Sequence, residues 1–154
     1  MIIKGYRLSD ETVMELGRFA ILWNHFEGTY CGNNCSVREI KRVYQRLALD
    51  EGKQKELATV LNERREYFGQ IIPDYVDTGL YPGNARRTGE EDSVLMQKFM
   101  EQEEDDVRCG CLLVIHRIRN NLMHGLKCIS DLDGQIKLFR AVNGVLESIE
   151  RKSK

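Results

Sequence analysis

The stretch from Ile115 to Lys127, IHRIRNNLMHGLK, holds the residue types best suited to chemistry. It contains Arg119 and, five residues later, His124. Arginine offers a permanent planar cation to phosphoryl oxygens, and histidine moves protons most readily near neutral pH. In RNA the 2′-hydroxyl can attack the adjacent phosphate, so neither an external nucleophile nor a metal is required. The pair suits RNA cleavage; alternatively, Arg119 pairs with a neighbouring helix and His124 is an ordinary helix-end histidine.

The charge around this stretch is locally basic. The whole chain has 23 Lys and Arg against 24 Asp and Glu, which excludes a generally basic, histone-like binder. From Glu90 to Asp106 there are eight acids, but from Val107 to Ser130 there is none. Because fields are screened over about 10 Å, a local basic stretch can meet an anion. Neighbouring helix turns could equally compensate each other. The bases of this stretch are Arg108, Arg117, Arg119 and Lys127, of which Arg117 and Lys127 are weaker candidate phosphate contacts.

The spacing of Arg119 and His124 raises a geometric problem. On one ideal helix, residues five apart point about 140° apart. They would converge if the helix loosens near Gly125, or if two copies of the segment face each other across a dimer axis. His116, Asn120 and His124 also form a polar stripe that is costly to bury without partners.

Apolar residues recur every three or four positions, which predicts helices. The first helix follows Ser9, and the second opens at the capping box of Ser36 and Glu39, with one face through Ile40, Val43 and Leu47. A third is predicted over residues 54–70. A further helix runs over residues 90–124, with Gly110 as a candidate break. A last helix is capped by Ser130, Asp131 or Asp133. A long loop around residues 72–89 contains both prolines.

The sequence therefore predicts one all-α domain over residues 1–154, a bundle of four to five helices. The longest apolar run is five residues and the N-terminus is unlike a signal peptide, which predicts a cytoplasmic protein without a membrane segment. Five cysteines in spacings unlike those of zinc sites predict free, mostly buried thiols. No metal or cofactor is expected.

Two segments resemble the HEPN domain family. Residues 119–127, RNNLMHGLK, resemble its signature, an Arg followed by a polar residue, with four to six residues in all before a His. Residues 21–30, ILWNHFEGTY, are similar to the Leu-Trp-x-x-Phe-x-x-x-Tyr segment of one large branch. The resemblance implies a HEPN-like bundle spanning most of the chain. Some HEPN toxins have a Tyr two residues after the His, where this chain has Leu126.

What the resemblance implies is a metal-independent endoribonuclease of a toxin–antitoxin or antiviral defence system. Such proteins form homodimers in which two motifs build one cleft, and they leave a 2′,3′-cyclic phosphate. Arg119 would bind the scissile phosphate, His124 would be the general acid or base, and Asn120 would orient His124 or the phosphate. An antitoxin or defence protein would be a partner besides RNA.

Other interpretations stay open. Asn24 and Glu27 are candidate partners of Arg119 or simply a solvated face, and Trp23 and Phe26 are expected in the core. The chain could be a catalytically silent HEPN module that dimerises or binds nucleotide or RNA. It could also be a metal-binding bundle that uses His25, His116, His124 and cysteines.

Overall fold

The computed structural model describes residues 1–68, 90–123, 129 and 132–153. The all-α class is confirmed, since the described residues form six α-helices and only two-residue strands. The helices are α1 (Asp10–Tyr30), α2 (Val37–Val43), α3 (Glu51–Phe68), α4 (Glu90–Glu101), α5 (Arg108–Met123) and α6 (Ile136–Ser148). The strands are β1 (Ile2–Ile3), β2 (Tyr6–Arg7), β3 (Leu47–Ala48) and β4 (Glu150–Arg151), paired antiparallel as β1–β2 and β3–β4. The predicted loop around residues 72–89 lies outside the described residues.

Helix α5 carries a deeply buried stretch of the chain. It packs against α4 and α2, while α6 packs against α1 and α3, and α3 also contacts α4. The run from Cys111 to Ile115 is fully buried at every position. A helix that is apolar all round belongs in a core, and here this run anchors the helix that carries Arg119. None of the helices in the described part of the chain is long and apolar enough to cross a membrane.

Two helix starts agree with the capping residues in the sequence. The Ser9 hydroxyl accepts a hydrogen bond from the Thr12 amide at 3.1 Å, so α1 begins where predicted. The Ser36 hydroxyl accepts from the Glu39 amide at 3.2 Å and opens α2. Helix α2 ends at Val43, and Leu47 then belongs to β3 instead of extending the helical face.

The predicted break at Gly110 is wrong. The chain leaves the helix at residues 102–107, where Gln102 has a positive φ of 54°, and Gly110 lies inside the first turn of α5. A Cβ at Gly110 would lie 2.1 Å from the Leu95 carbonyl oxygen of α4. Glycine at this position therefore permits the close approach of α4 and α5, and does not interrupt a helix.

A polar contact joins the first and last parts of the chain. Asp133 accepts hydrogen bonds from the Ser9 amide at 3.0 Å and from the Thr12 hydroxyl at 2.6 Å. It was one of three predicted caps of the last helix, but α6 begins at Ile136 without a side-chain cap. The other two candidate caps lie outside the described residues. Asp133 thus stabilises the start of α1.

Candidate functional site

Arg119 and Asn120 lie together in the last described turns of α5. Both side chains are half-buried, and Arg119 Nη1 donates a hydrogen bond to Asn120 Oδ1 at 3.1 Å. This bond uses one of the five guanidinium donors and orients the planar cation beside the core. The structure brings these two predicted site residues together. His124 and Lys127 lie outside the described residues, so their roles stay predictions.

His116 is a member of this region that sequence analysis did not assign to the site. Its ring packs against Trp23 of α1, with centroids 6.1 Å apart. Burial and, to a smaller extent, the charges of Arg117 and Arg119 together lower the pKa of His116 to about 4. His116 is therefore neutral at pH 7, one turn before Arg119. The polar stripe through His116 and Asn120 points to this region, but the stripe alone does not show that His116 packs against Trp23 and is partly buried.

The lowered pKa of the partly buried His116 predicts acid sensitivity. Its folded pKa of about 4 lies below the ordinary value near 6.5, so the unfolded chain binds the proton more readily. Stability should therefore fall as the pH drops through this window, by up to about 2 kcal/mol at pH 5 from this group. Urea denaturation at pH 7 and pH 5 should show a smaller pH-dependent loss in His116→Gln than in the wild type.

The matched control for this experiment is His25→Gln. His25 lies exposed on α1, so its replacement should leave the wild-type loss between pH 7 and pH 5 intact. An equal pH-dependent loss in His116→Gln and the wild type would contradict the assignment of the acid sensitivity to His116.

The aromatic residues of α1 form part of the core, as predicted. Trp23 and Phe26 are buried, and their rings pack in a tilted arrangement with centroids 5.4 Å apart. The Glu27 carboxylate accepts a hydrogen bond from the Trp23 indole at 2.9 Å, and Asn24 is exposed. Within the described part of the chain, no hydrogen bond joins Arg119 to Asn24 or Glu27. Glu27 instead holds the orientation of the tryptophan that contacts His116.

Two other bases of the acid-free stretch are engaged within the fold. Arg117 is only 6% exposed, a burial that does not favour the expected contact with RNA. Arg108 forms an ion pair with Asp106 at 2.8 Å and donates to the Leu47 carbonyl at 2.6 Å. The positive charge of Arg108, at the start of α5, is therefore compensated by a neighbouring acid. Arg119 lies at the other end of the same helix.

A groove of about 670 Å³ lies at that start of α5, between the 102–107 segment and the beginning of α3. Its wall carries five acidic and three basic side chains, namely Glu51, Glu103, Glu104, Asp105 and Asp106, and Lys55, Arg108 and Lys152. Arg119 is about 16 Å further along the helix by the rise per residue. The groove is therefore separate from the Arg119 region, and the acidic side chains of its wall outnumber the basic ones, which does not favour a polyanion.

In the described part of the chain, no group of three or more His, Cys, Asp and Glu side chains could hold a metal ion. No family model matches the chain, and neither a curated protein nor a solved structure is similar enough to count as a match. The HEPN resemblance accordingly stays a prediction from the two sequence segments.

Proposed function

We propose that the protein is a HEPN-type, metal-independent endoribonuclease that cleaves single-stranded RNA through the substrate's own 2′-hydroxyl. Arg119 binds the scissile phosphate and stabilises the charge of the pentavalent transition state. His124 transfers a proton to or from the reacting oxygens. Asn120 orients the guanidinium or the phosphate, and Lys127 adds a phosphate contact.

The observation that carries this proposal is the contact between α1 and α5. The two segments with HEPN resemblance are far apart in the sequence, yet Trp23 of the first packs on His116, which lies one turn before Arg119. The α5 helix is held at its centre by a fully buried run, so its last turns have a rigid base. A fixed cation on a rigid element is what phosphate binding needs. The hydrogen bond between Arg119 and Asn120 adds a defined orientation.

The proposal includes a homodimer. On one ideal helix, Arg119 and His124 point in different directions and do not both reach one phosphate. Two copies of the chain related by a two-fold axis would supply both side chains to one cleft. A monomeric mass by light scattering at micromolar concentration, with the fold intact, would contradict the shared cleft. The proposed setting is the cytoplasm, in a toxin–antitoxin or antiviral defence system with a dedicated partner protein.

Cleavage of a labelled single-stranded RNA tests the activity. The wild type should cut it, and Arg119→Ala prepared in parallel should lose at least about 10²-fold in rate, because the phosphate loses its forked cation. Arg38→Ala is the matched control, since it removes the same charge from an exposed position on α2. It should cut like the wild type.

Equal cleavage by the wild type and Arg119→Ala would mean that a contaminant cuts the RNA, and would contradict the proposal. RNA that is bound without being cut would also contradict it, and would favour the catalytically silent binding module.

A further inference from the structure

Cys31 and Cys35 lie in direct contact between α1 and α2. Their Sγ atoms are 2.6 Å apart, and both residues are free cysteines that are 2% and 4% exposed. A disulfide bond is about 2.05 Å long, so a small displacement joins the two sulfurs. The proposed ribonuclease chemistry uses neither residue.

The turn between the two cysteines is shaped to bring them together. Cys31 caps the end of α1, and Gly32 and Asn33 both adopt left-handed backbone conformations, with φ of 61° and 70°. The Asn33 amide donates to the Glu27 carbonyl at 2.9 Å, which ties the turn to the last part of α1. Cys35 directly precedes Ser36, the N-cap of α2. Backbone hydrogen bonds and the two adjacent helix ends therefore hold Cys31 and Cys35 close together.

The two thiols are chemically unequal. The hydrogen bond from Cys35 lowers the pKa of Cys31, and the same bond raises the pKa of Cys35. The thiolate is the nucleophile in thiol chemistry, so Cys31 is the first to react and Cys35 is the resolving thiol.

We propose that Cys31 and Cys35 are a redox modification site, in which a peroxide converts the two thiols to an intramolecular disulfide. The Cys31 thiolate attacks one peroxide oxygen and forms a sulfenic acid as the O–O bond breaks, and the hydroxide that leaves takes up the proton lost by the Cys31 thiol and becomes the first water. Cys35 sulfur then attacks Cys31 sulfur, the S–O bond breaks, and the second water leaves with the thiol proton. Two electrons pass from the two sulfurs to the peroxide.

Cys109 and Cys111 provide an internal comparison within α5. They are two residues apart on one helix, so their side chains point about 200° apart and cannot bridge without unwinding it. Burial also raises the pKa of Cys111. A peroxide is therefore expected to join the first pair and to leave the second pair as thiols.

The sequence makes the test direct. Trypsin releases residues 19–38, which hold Cys31 and Cys35 without an internal Lys or Arg, and residues 109–117, which hold Cys109 and Cys111. Full-length protein is treated with hydrogen peroxide for up to several hours, denatured, alkylated without reductant, digested and weighed by mass spectrometry. In parallel, Cys35→Ser is oxidised with dimedone present, which traps a sulfenic acid.

We expect peptide 19–38 to carry no alkyl group and to weigh two hydrogen atoms less than its dithiol form, and to carry two alkyl groups after reduction and a second alkylation. Peptide 109–117 should carry two alkyl groups throughout. Cys35→Ser should gain a dimedone label on Cys31 that the wild type lacks. Two alkyl groups on peptide 19–38 after peroxide, or equal loss from both peptides, would overturn the proposal. So would a dimedone label on wild-type Cys31 equal to that in the variant.

Discussion

Gly110→Ala should destabilise the fold by about 3 kcal/mol and lower the melting temperature by roughly 6–12 °C. The added Cβ would lie 2.1 Å from the carbonyl oxygen and 2.8 Å from the carbonyl carbon of Leu95, both of them backbone atoms of α4. A backbone segment inside a helix cannot turn aside as a side chain can, so α4 and α5 must separate. The loss of packing between them outweighs the gain of about 0.5–1 kcal/mol that alanine brings to a helix interior.

The control is the same substitution at Gly17, on the exposed face of α1. A Cβ there meets no atom within 4 Å, so Gly17→Ala should stabilise the protein by roughly 0.5–1 kcal/mol. Thermal and urea denaturation of both variants would measure the difference. If Gly110→Ala were as stable as Gly17→Ala, the close packing of α4 on α5 would be contradicted.

His124→Ala should lower the rate of RNA cleavage by about 10²–10⁴-fold, which is the usual contribution of a positioned acid or base. Arg119→Lys should also be impaired, because an ammonium cannot make the forked contact with two phosphoryl oxygens. Initial rates on labelled single-stranded RNA would measure both effects.

His25→Ala is the matched control, since it removes an exposed histidine from α1. Its cleavage rate should equal that of the wild type. Full activity in His124→Ala would contradict the proposed proton transfer and would remove His124 from the site.

Local chemistry predicted the starts of α1 and α2 correctly, whereas α3 begins at Glu51, three residues before its predicted start. Ser9 and Ser36 cap the helices that follow them, because a side-chain oxygen at this position satisfies amides that have no intrahelical partner. Spacing also placed Trp23 and Phe26 in the core. These features depend on neighbours within a few residues, which a sequence pattern contains.

Features that depend on distant neighbours were not predictable in the same way. Glycine weakens an isolated helix, so Gly110 was a reasonable candidate break, but the contact with Leu95 gives it a packing role that no local pattern reveals. Asp133 was predicted as a cap of the last helix, yet it binds the start of α1 across the fold. In both cases tertiary contacts override local preference.

The candidate site also has features that depend on local sequence and features that depend on distant contacts. Residue types and spacing indicated Arg119 and Asn120, and the structure joins them by a hydrogen bond. The burial of Arg117 and the partial burial of His116 depend on how α5 faces α1 and the other helices, so charge alone overestimated the basic surface. Glu27 was a candidate partner of Arg119, but its carboxylate instead accepts a hydrogen bond from the indole of Trp23, one helical turn away.

The most direct measurement is RNA cleavage in EDTA with two matched substrates, one all-ribose and one with a single 2′-deoxynucleotide at the scissile position. Because the proposed nucleophile belongs to the substrate and the acid, base and cation to the protein, the all-ribose RNA should be cut at the same rate with and without EDTA. Its product should carry a 2′,3′-cyclic phosphate, and the 2′-deoxy substrate should resist at that position. Cleavage abolished by EDTA, or equal cutting of both substrates, would contradict the proposed ribonuclease mechanism.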